Sequence, residues 1–152
     1  MKRWERWTFN LLSLAVAVTG FVYFWMKYAM VSDDPFAVVN HPWQTAVLGL
    51  HVVFSPAFIL VFGVILNSHV MKKIRAPRMP NRRTGLLSLG TFAAMVISGY
   101  LLQVASTEAW LQVLVAVHVA TGAVFSLAYT AHLVISVKLA RIRPEAAIRE
   151  VA

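Results

Sequence analysis

The chain has 152 residues, of which 59% are hydrophobic and 13% charged, with a mean hydropathy of +0.69 and a net charge of +8. This balance departs from that of an average soluble domain. There is no Cys, which excludes haem attachment through a C-x-x-C-H motif, thiolate-bound iron–sulfur clusters and disulfides.

Four apolar segments reach the roughly 20 residues that a helix needs to cross a hydrocarbon core. In chain order they cover about residues 7–30, 43–70, 84–104 and 109–138. The first lacks a small-x-small exit and reads as a retained span, not a cleaved leader. Residues 11–18 and 113–117 show no polar face, as a surface helix of a soluble bundle would. The expected fold is an all-α membrane protein, a four-transmembrane-helix bundle forming one domain over residues 1–152.

The basic residues set an orientation. Lys2, Arg3 and Arg6 precede the first span. Lys72, Lys73, Arg75, Arg78, Arg82 and Arg83 fill the link between the second and third, and Lys138, Arg141, Arg143 and Arg149 close the chain. With four spans these regions share one side, leaving only Lys27 of the 14 Lys and Arg elsewhere. The positive-inside rule makes that side, and both termini, cytoplasmic. The charge of +8 is therefore a membrane signal, and no nucleic-acid partner is expected. The opposite side has two loops, about residues 31–42 and a tight turn at 106–108, carrying Asp33, Asp34 and Glu108. Trp4, Trp7, Trp25, Trp43 and Trp110 fall near span ends, where interfacial anchors belong.

Four histidines lie within the second and fourth spans: His51, His69, His118 and His132. An ionisable side chain at membrane depth is costly and marks a functional site by default. The two spans run in the same direction, so their depths compare directly. Each presents one His in its outer half and one in its inner half, pairing His51 with His118 and His69 with His132. On straight helices the step from His51 to His69 is five full turns, and that from His118 to His132 is about 40° short of four. The rises are about 27 Å and 21 Å, and Pro56 is expected to kink the second span. Paired imidazoles at matched depth suit the two axial positions of a buried haem iron. Gly122, one turn beyond His118, leaves room for a flat macrocycle, whereas Gly20 and Gly99 read as sites of close helix packing. Arg82, Arg83, Lys72 and Lys73 are inner-side candidates for propionate partners, against a plain positive-inside role. His41, before Pro42 and Trp43, is an ordinary loop residue, a quinol contact, or a ligand or contact of a partner's haem.

The chain resembles the prokaryotic four-helix cytochrome b561-like family, which includes the membrane cytochrome b subunits of formate dehydrogenase and nickel–iron hydrogenase. The resemblance rests on Arg83, Thr84 and Gly85, on Ser98, Gly99, Tyr100, Leu101 and Leu102, and on the 14-residue step from His118 to His132. It implies two b-type haems, with His51 opposite His118 at the outer one. The family's dehydrogenase-type members take the remaining inner ligand from the start of the first helix. Here that stretch reads Arg6, Trp7, Thr8, Phe9 and Asn10, and His69 is expected to replace it. The implied function is electron transfer across a bacterial inner membrane, between the quinone pool and a periplasmic c-type cytochrome or dehydrogenase subunit. The chain would act as the membrane subunit of a larger oxidoreductase complex. The rival reading is a non-redox anchor or assembly subunit whose histidines serve helix packing. A small transporter is disfavoured because no carboxylate lies inside an expected span.

Overall fold

The computed structural model describes residues 2–76 and 81–149, without the side chains of 141 and 143–149. Arg78 of the basic link and the side chains of Arg141, Arg143 and Arg149 therefore lie outside the described residues. The chain is all-α, with four helices long and apolar enough to cross a membrane; it is a multi-pass membrane protein. It divides into two compact units, Met1–Arg75 and Ala76–Ala152, each a helical hairpin.

The first hairpin pairs α1 (Arg3–Tyr28) with α2 (Gln44–Ile65). The start of α1 lies upstream of the expected 7, because the Lys2 backbone amide donates to Glu5 Oε2 at 2.7 Å and caps the first turn. After Tyr28 the helix ends, with the Ala29 amide donating to Trp25 O at 2.9 Å. Asp34 Oδ1 accepts the Phe36 amide at 2.9 Å, an Asx turn. Asn40 then ties the connection to both helices: its Nδ2 donates to Lys27 O at 3.2 Å and its amide to Gln44 Oε1 at 3.1 Å.

Helix α2 stays helical through Pro56. The expected single span 43–70 is nevertheless not one regular helix. At Leu66–Val70 it widens into a π-turn before resuming as α3 (Met71–Arg75). In a turn with i→i+5 bonds each residue advances less about the axis than in an α-helix. His69 lies inside this segment, so the straight-helix phasing that put it on the face of His51 does not hold.

The second hairpin pairs α4 (Arg82–Val104) with α5 (Glu108–Arg149). Asn81, at φ 62°, adopts the left-handed conformation ahead of α4, which Asn tolerates better than most residues. Helix α5 continues well past the expected 138.

Aromatic rings fill each hairpin seam. Phe9 packs on Phe58 with centroids 4.9 Å apart, and Phe92 on Phe125 at 5.6 Å, where Tyr129 stacks in turn at 5.7 Å. Large apolar side chains such as Leu14, Leu60, Ile97 and Leu127 remain exposed, as a lipid-facing surface requires. The hydroxyls of Ser88 and Ser98, buried in the second seam, bond back to Thr84 O and Ala94 O at 2.8 Å each. Their polarity is thereby satisfied within α4.

Candidate functional site

Three of the four histidines sit in the same local arrangement, built each time from the partner helix of their own hairpin. His51 projects from α2 onto α1. Its Nδ1 lies 3.0 Å from Val16 O and 3.3 Å from Thr19 Oγ1. The ring rests against Gly20, where a Cβ would stand 2.9 Å from its Cε1. His118 projects from α5 onto α4, with Nδ1 at 3.0 Å from Met95 O and 3.2 Å from Ser98 Oγ. A Cβ on Gly99 would come within 3.0 Å of its Cε1. His132 repeats the pattern 14 residues further along α5: Nδ1 is 3.1 Å from Thr84 Oγ1, and a Cβ on Gly85 would stand 3.3 Å from Cε1.

Each seat is thus a hydroxyl residue followed by glycine, facing an imidazole. Glycine lets the ring lie against the helix backbone, and the hydroxyl flanks Nδ1. The hydroxyl proton is already committed elsewhere. Thr19 donates to Ala15 O at 2.7 Å, Ser98 to Ala94 O at 2.8 Å, and Thr84 to Asn81 O at 3.2 Å and to Asn81 Oδ1. The oxygen is then left to accept, so the ring nitrogen donates. A proton on Nδ1 places the imidazole lone pair on Nε2, and hydrogen bonding at Nδ1 is what metal-ligating histidines use to fix tautomer and orientation.

Asn81 secures the His132 seat. Its Nδ2 donates to His132 O at 2.8 Å and to Ser136 Oγ at 3.1 Å, joining the start of α4 to α5.

His69 stands apart from this pattern. It is half-buried in the π-turn of the first hairpin, and the preceding Ser68 donates from Oγ to Glu5 Oε2 at 3.2 Å. Glu5 itself is only 3% exposed and stands in the first turn of α1, ahead of the expected first span. His41 serves its own loop, where its Nδ1 accepts the Trp43 amide at 3.1 Å ahead of α2.

The remaining expectations fare unevenly. Gly122 faces Met95, whose Sδ would lie 3.6 Å from an added Cβ, an ordinary packing contact. Gly20 and Gly99, read from sequence as sites of close helix packing, are such sites, and what packs on them is the ring of His51 and of His118. Arg83 is exposed, and with Asn81, Arg82, Thr84 and Leu86 it borders an open depression of about 420 Å³ beside the His132 seat. Lys72 and Lys73 are exposed as well.

Sequence reading missed Thr19, Thr84 and Ser98 as partners of the rings. The available signal was the hydroxyl–glycine dipeptide, which recurs at a 14-residue step on α4 matching the 14-residue step of its two histidines. Among the described residues no group of three or more His, Cys, Asp or Glu could hold a bare ion. Single imidazoles with an outward lone pair suit a metal that brings its own equatorial ligands, and haem iron is such a metal. No protein-family model, curated protein or solved structure matches the chain.

Proposed function

We propose that the chain is a b-type membrane cytochrome, the electron-carrying subunit of a larger respiratory complex in a bacterial inner membrane. The observation that carries this reading is the threefold repetition of one seat: an imidazole with Nδ1 bonded, laid on a glycine, between helices long and apolar enough to cross a membrane. His51 with His118, and His69 with His132, would hold two haems, the pairs following from their depths along the spans. A haem held in this way supplies one-electron chemistry through its ferric and ferrous states.

The rest is the work of the chain's own side chains. Carbonyls and hydroxyls at Nδ1 hold the rings against rotation and raise their basicity as ligands. The apolar helices keep water away, and Arg82, Arg83, Lys72 and Lys73 are the candidate partners of propionates at the cytoplasmic end. Resemblance to the four-helix cytochrome b561-like family supports a quinone as electron partner and a periplasmic cytochrome or dehydrogenase subunit on the outer side. Asp33, Asp34 and Glu108 favour a basic surface on that partner.

A reduced-minus-oxidised visible spectrum of the purified protein tests the reading. A b-type α-band corresponding to two haems per chain is expected, with the outer one lost in His118→Ala. A stable, correctly inserted and colourless protein would sink it. That outcome would favour a non-redox anchor, for which the same Nδ1 bonds serve only to tie each helix pair together.

A further inference from the structure

The 14-residue step between the seats of α4 has a counterpart on α1. Fourteen residues before Ser98 and Gly99 stand Thr84 and Gly85; fourteen before Thr19 and Gly20 stand Glu5 and Arg6. Glu5 therefore occupies the hydroxyl register, while an arginine replaces the glycine on which a ring would rest. The partner helix has changed in step. Fourteen residues after His118 comes His132, but fourteen after His51 comes Ile65. The next histidine, His69, is reached only through the π-turn Leu66–Val70.

Glu5 and this π-turn are joined. Glu5 Oε2 accepts both the Lys2 amide at 2.7 Å and the Ser68 hydroxyl at 3.2 Å, and Ser68 is the residue before His69. A buried carboxylate near an apolar helix end is costly unless its oxygens are bonded, and capping alone does not require burial. A π-turn is likewise a rare departure from the α-ladder and is frequent at functional sites. Two costly features in direct contact beside the fourth histidine call for one explanation.

We propose that Glu5 is the positioning residue of His69. With Glu5 and Arg6 at the register of a hydroxyl–glycine pair, the carboxylate tethers the π-turn through Ser68, so that His69 is presented as the inner ligand. This rests on the cytochrome reading above.

Haem per chain and the low-spin fraction in electron paramagnetic resonance, measured on the full-length protein in lipid nanodiscs, test the tether. Hydrogen exchange at residues 66–70 of the haem-free protein gives a readout independent of the cofactor. The wild type is expected to hold two low-spin haems. Ser68→Ala and Glu5→Ala should each lose the inner one or turn it high-spin, leave the outer one intact, and exchange at 66–70 about ten-fold faster. Glu5→Gln keeps an oxygen that accepts both bonds and should behave as wild type. If Glu5→Ala fails to insert, Ser68→Ala, which removes one hydroxyl, carries the test. The proposal is overturned if the alanine variants retain two low-spin haems and wild-type exchange, or if Glu5→Gln fails as they do. A second haem that survives His69→Ala also overturns it, while leaving the cytochrome reading in place. A colourless wild type would remove both.

Discussion

The Nδ1 of His118 lies 3.0 Å from the carbonyl oxygen of Met95, and Met95 stands four residues before the glycine that receives the ring. Val16 bears the same relation to Gly20 and His51, again at 3.0 Å. In an α-helix the carbonyl of residue i−4 accepts the N–H of residue i. It has a second lone pair, and a glycine at i, lacking Cβ, leaves that lone pair open to a ring from the facing helix. Bonding and close approach are thus two results of one substitution, glycine for any larger residue.

A graded series of alanines follows from this. Gly20→Ala and Gly99→Ala place a methyl 2.9 and 3.0 Å from the ring, and Gly85→Ala one at 3.3 Å. The first two should displace the imidazole from its carbonyl and weaken haem retention by about 10- to 100-fold, with Gly85→Ala milder. At Gly49, Gly63 and Gly90 an added Cβ meets nothing within 4 Å, so alanine there should stabilise the helix by up to about 1 kcal/mol. Haem content and thermal unfolding of the six variants check the order.

The hydroxyls can be removed without changing the shape of the seat. Thr19→Val and Ser98→Ala take one acceptor from an imidazole N–H that retains its carbonyl, and should cost about 1 kcal/mol of stability each. A less basic ligand stabilises the ferric state less, so the outer midpoint potential should rise. Unchanged potentials in both variants would show that the hydroxyls do no more than pack. Thr84→Val should move the inner potential in the same direction while sparing the outer.

Asn81 combines a left-handed backbone with two side-chain bonds to α5. Asn81→Gly accepts the backbone but loses the clamp, whereas Asn81→Val suffers both losses. The expected order of thermal stability is wild type, then glycine, then valine, with about 1–2 kcal/mol per step.

Orientation is tested by single cysteines in this cysteine-free chain. A membrane-impermeant maleimide applied to intact spheroplasts should label Asp34→Cys and Ser106→Cys but not Lys73→Cys. The reverse pattern would place the basic link outside and invalidate the assignment from charge.

The four long helices were legible because lipid selects runs of apolar residues, and those runs are visible in composition alone. Their ends were less so. Lys2, Arg3 and Arg6 read only as basic residues ahead of the first span, and Glu5 among them drew no notice, yet it accepts bonds from Lys2 and Ser68. Nothing in Leu66, Asn67, Ser68, His69 and Val70 announces a π-turn, since an extra residue in one helical turn leaves no pattern in side-chain type. The four histidines stood out for their polarity, but their seats did not, because the dipeptide is ambiguous. Thr121 and Gly122 form the same pair; there the hydroxyl bonds Val117 O at 2.7 Å and the glycine faces Met95 instead of a ring. What separates a seat from a packing contact is the residue on the opposite helix, and that depends on how the two helices are aligned.

Equal 14-residue steps on two antiparallel helices bear on how the second hairpin can move. Gly85 to Gly99 on α4 and His118 to His132 on α5 act like two pins through two plates. Sliding α4 along α5 by a single turn would unseat both rings at once, so neither can be released while the other stays in place. The first hairpin has one such pin, at Gly20 and His51, and its helices can pivot about it unless something restrains the far end. The Asn40 bonds to Lys27 and Gln44 lie beyond the pin on one side, and the Glu5 bond to Ser68 lies beyond it on the other. The two hairpins thus keep their helices in register by different means, one by repeating a joint and the other by bracing a single joint from both ends.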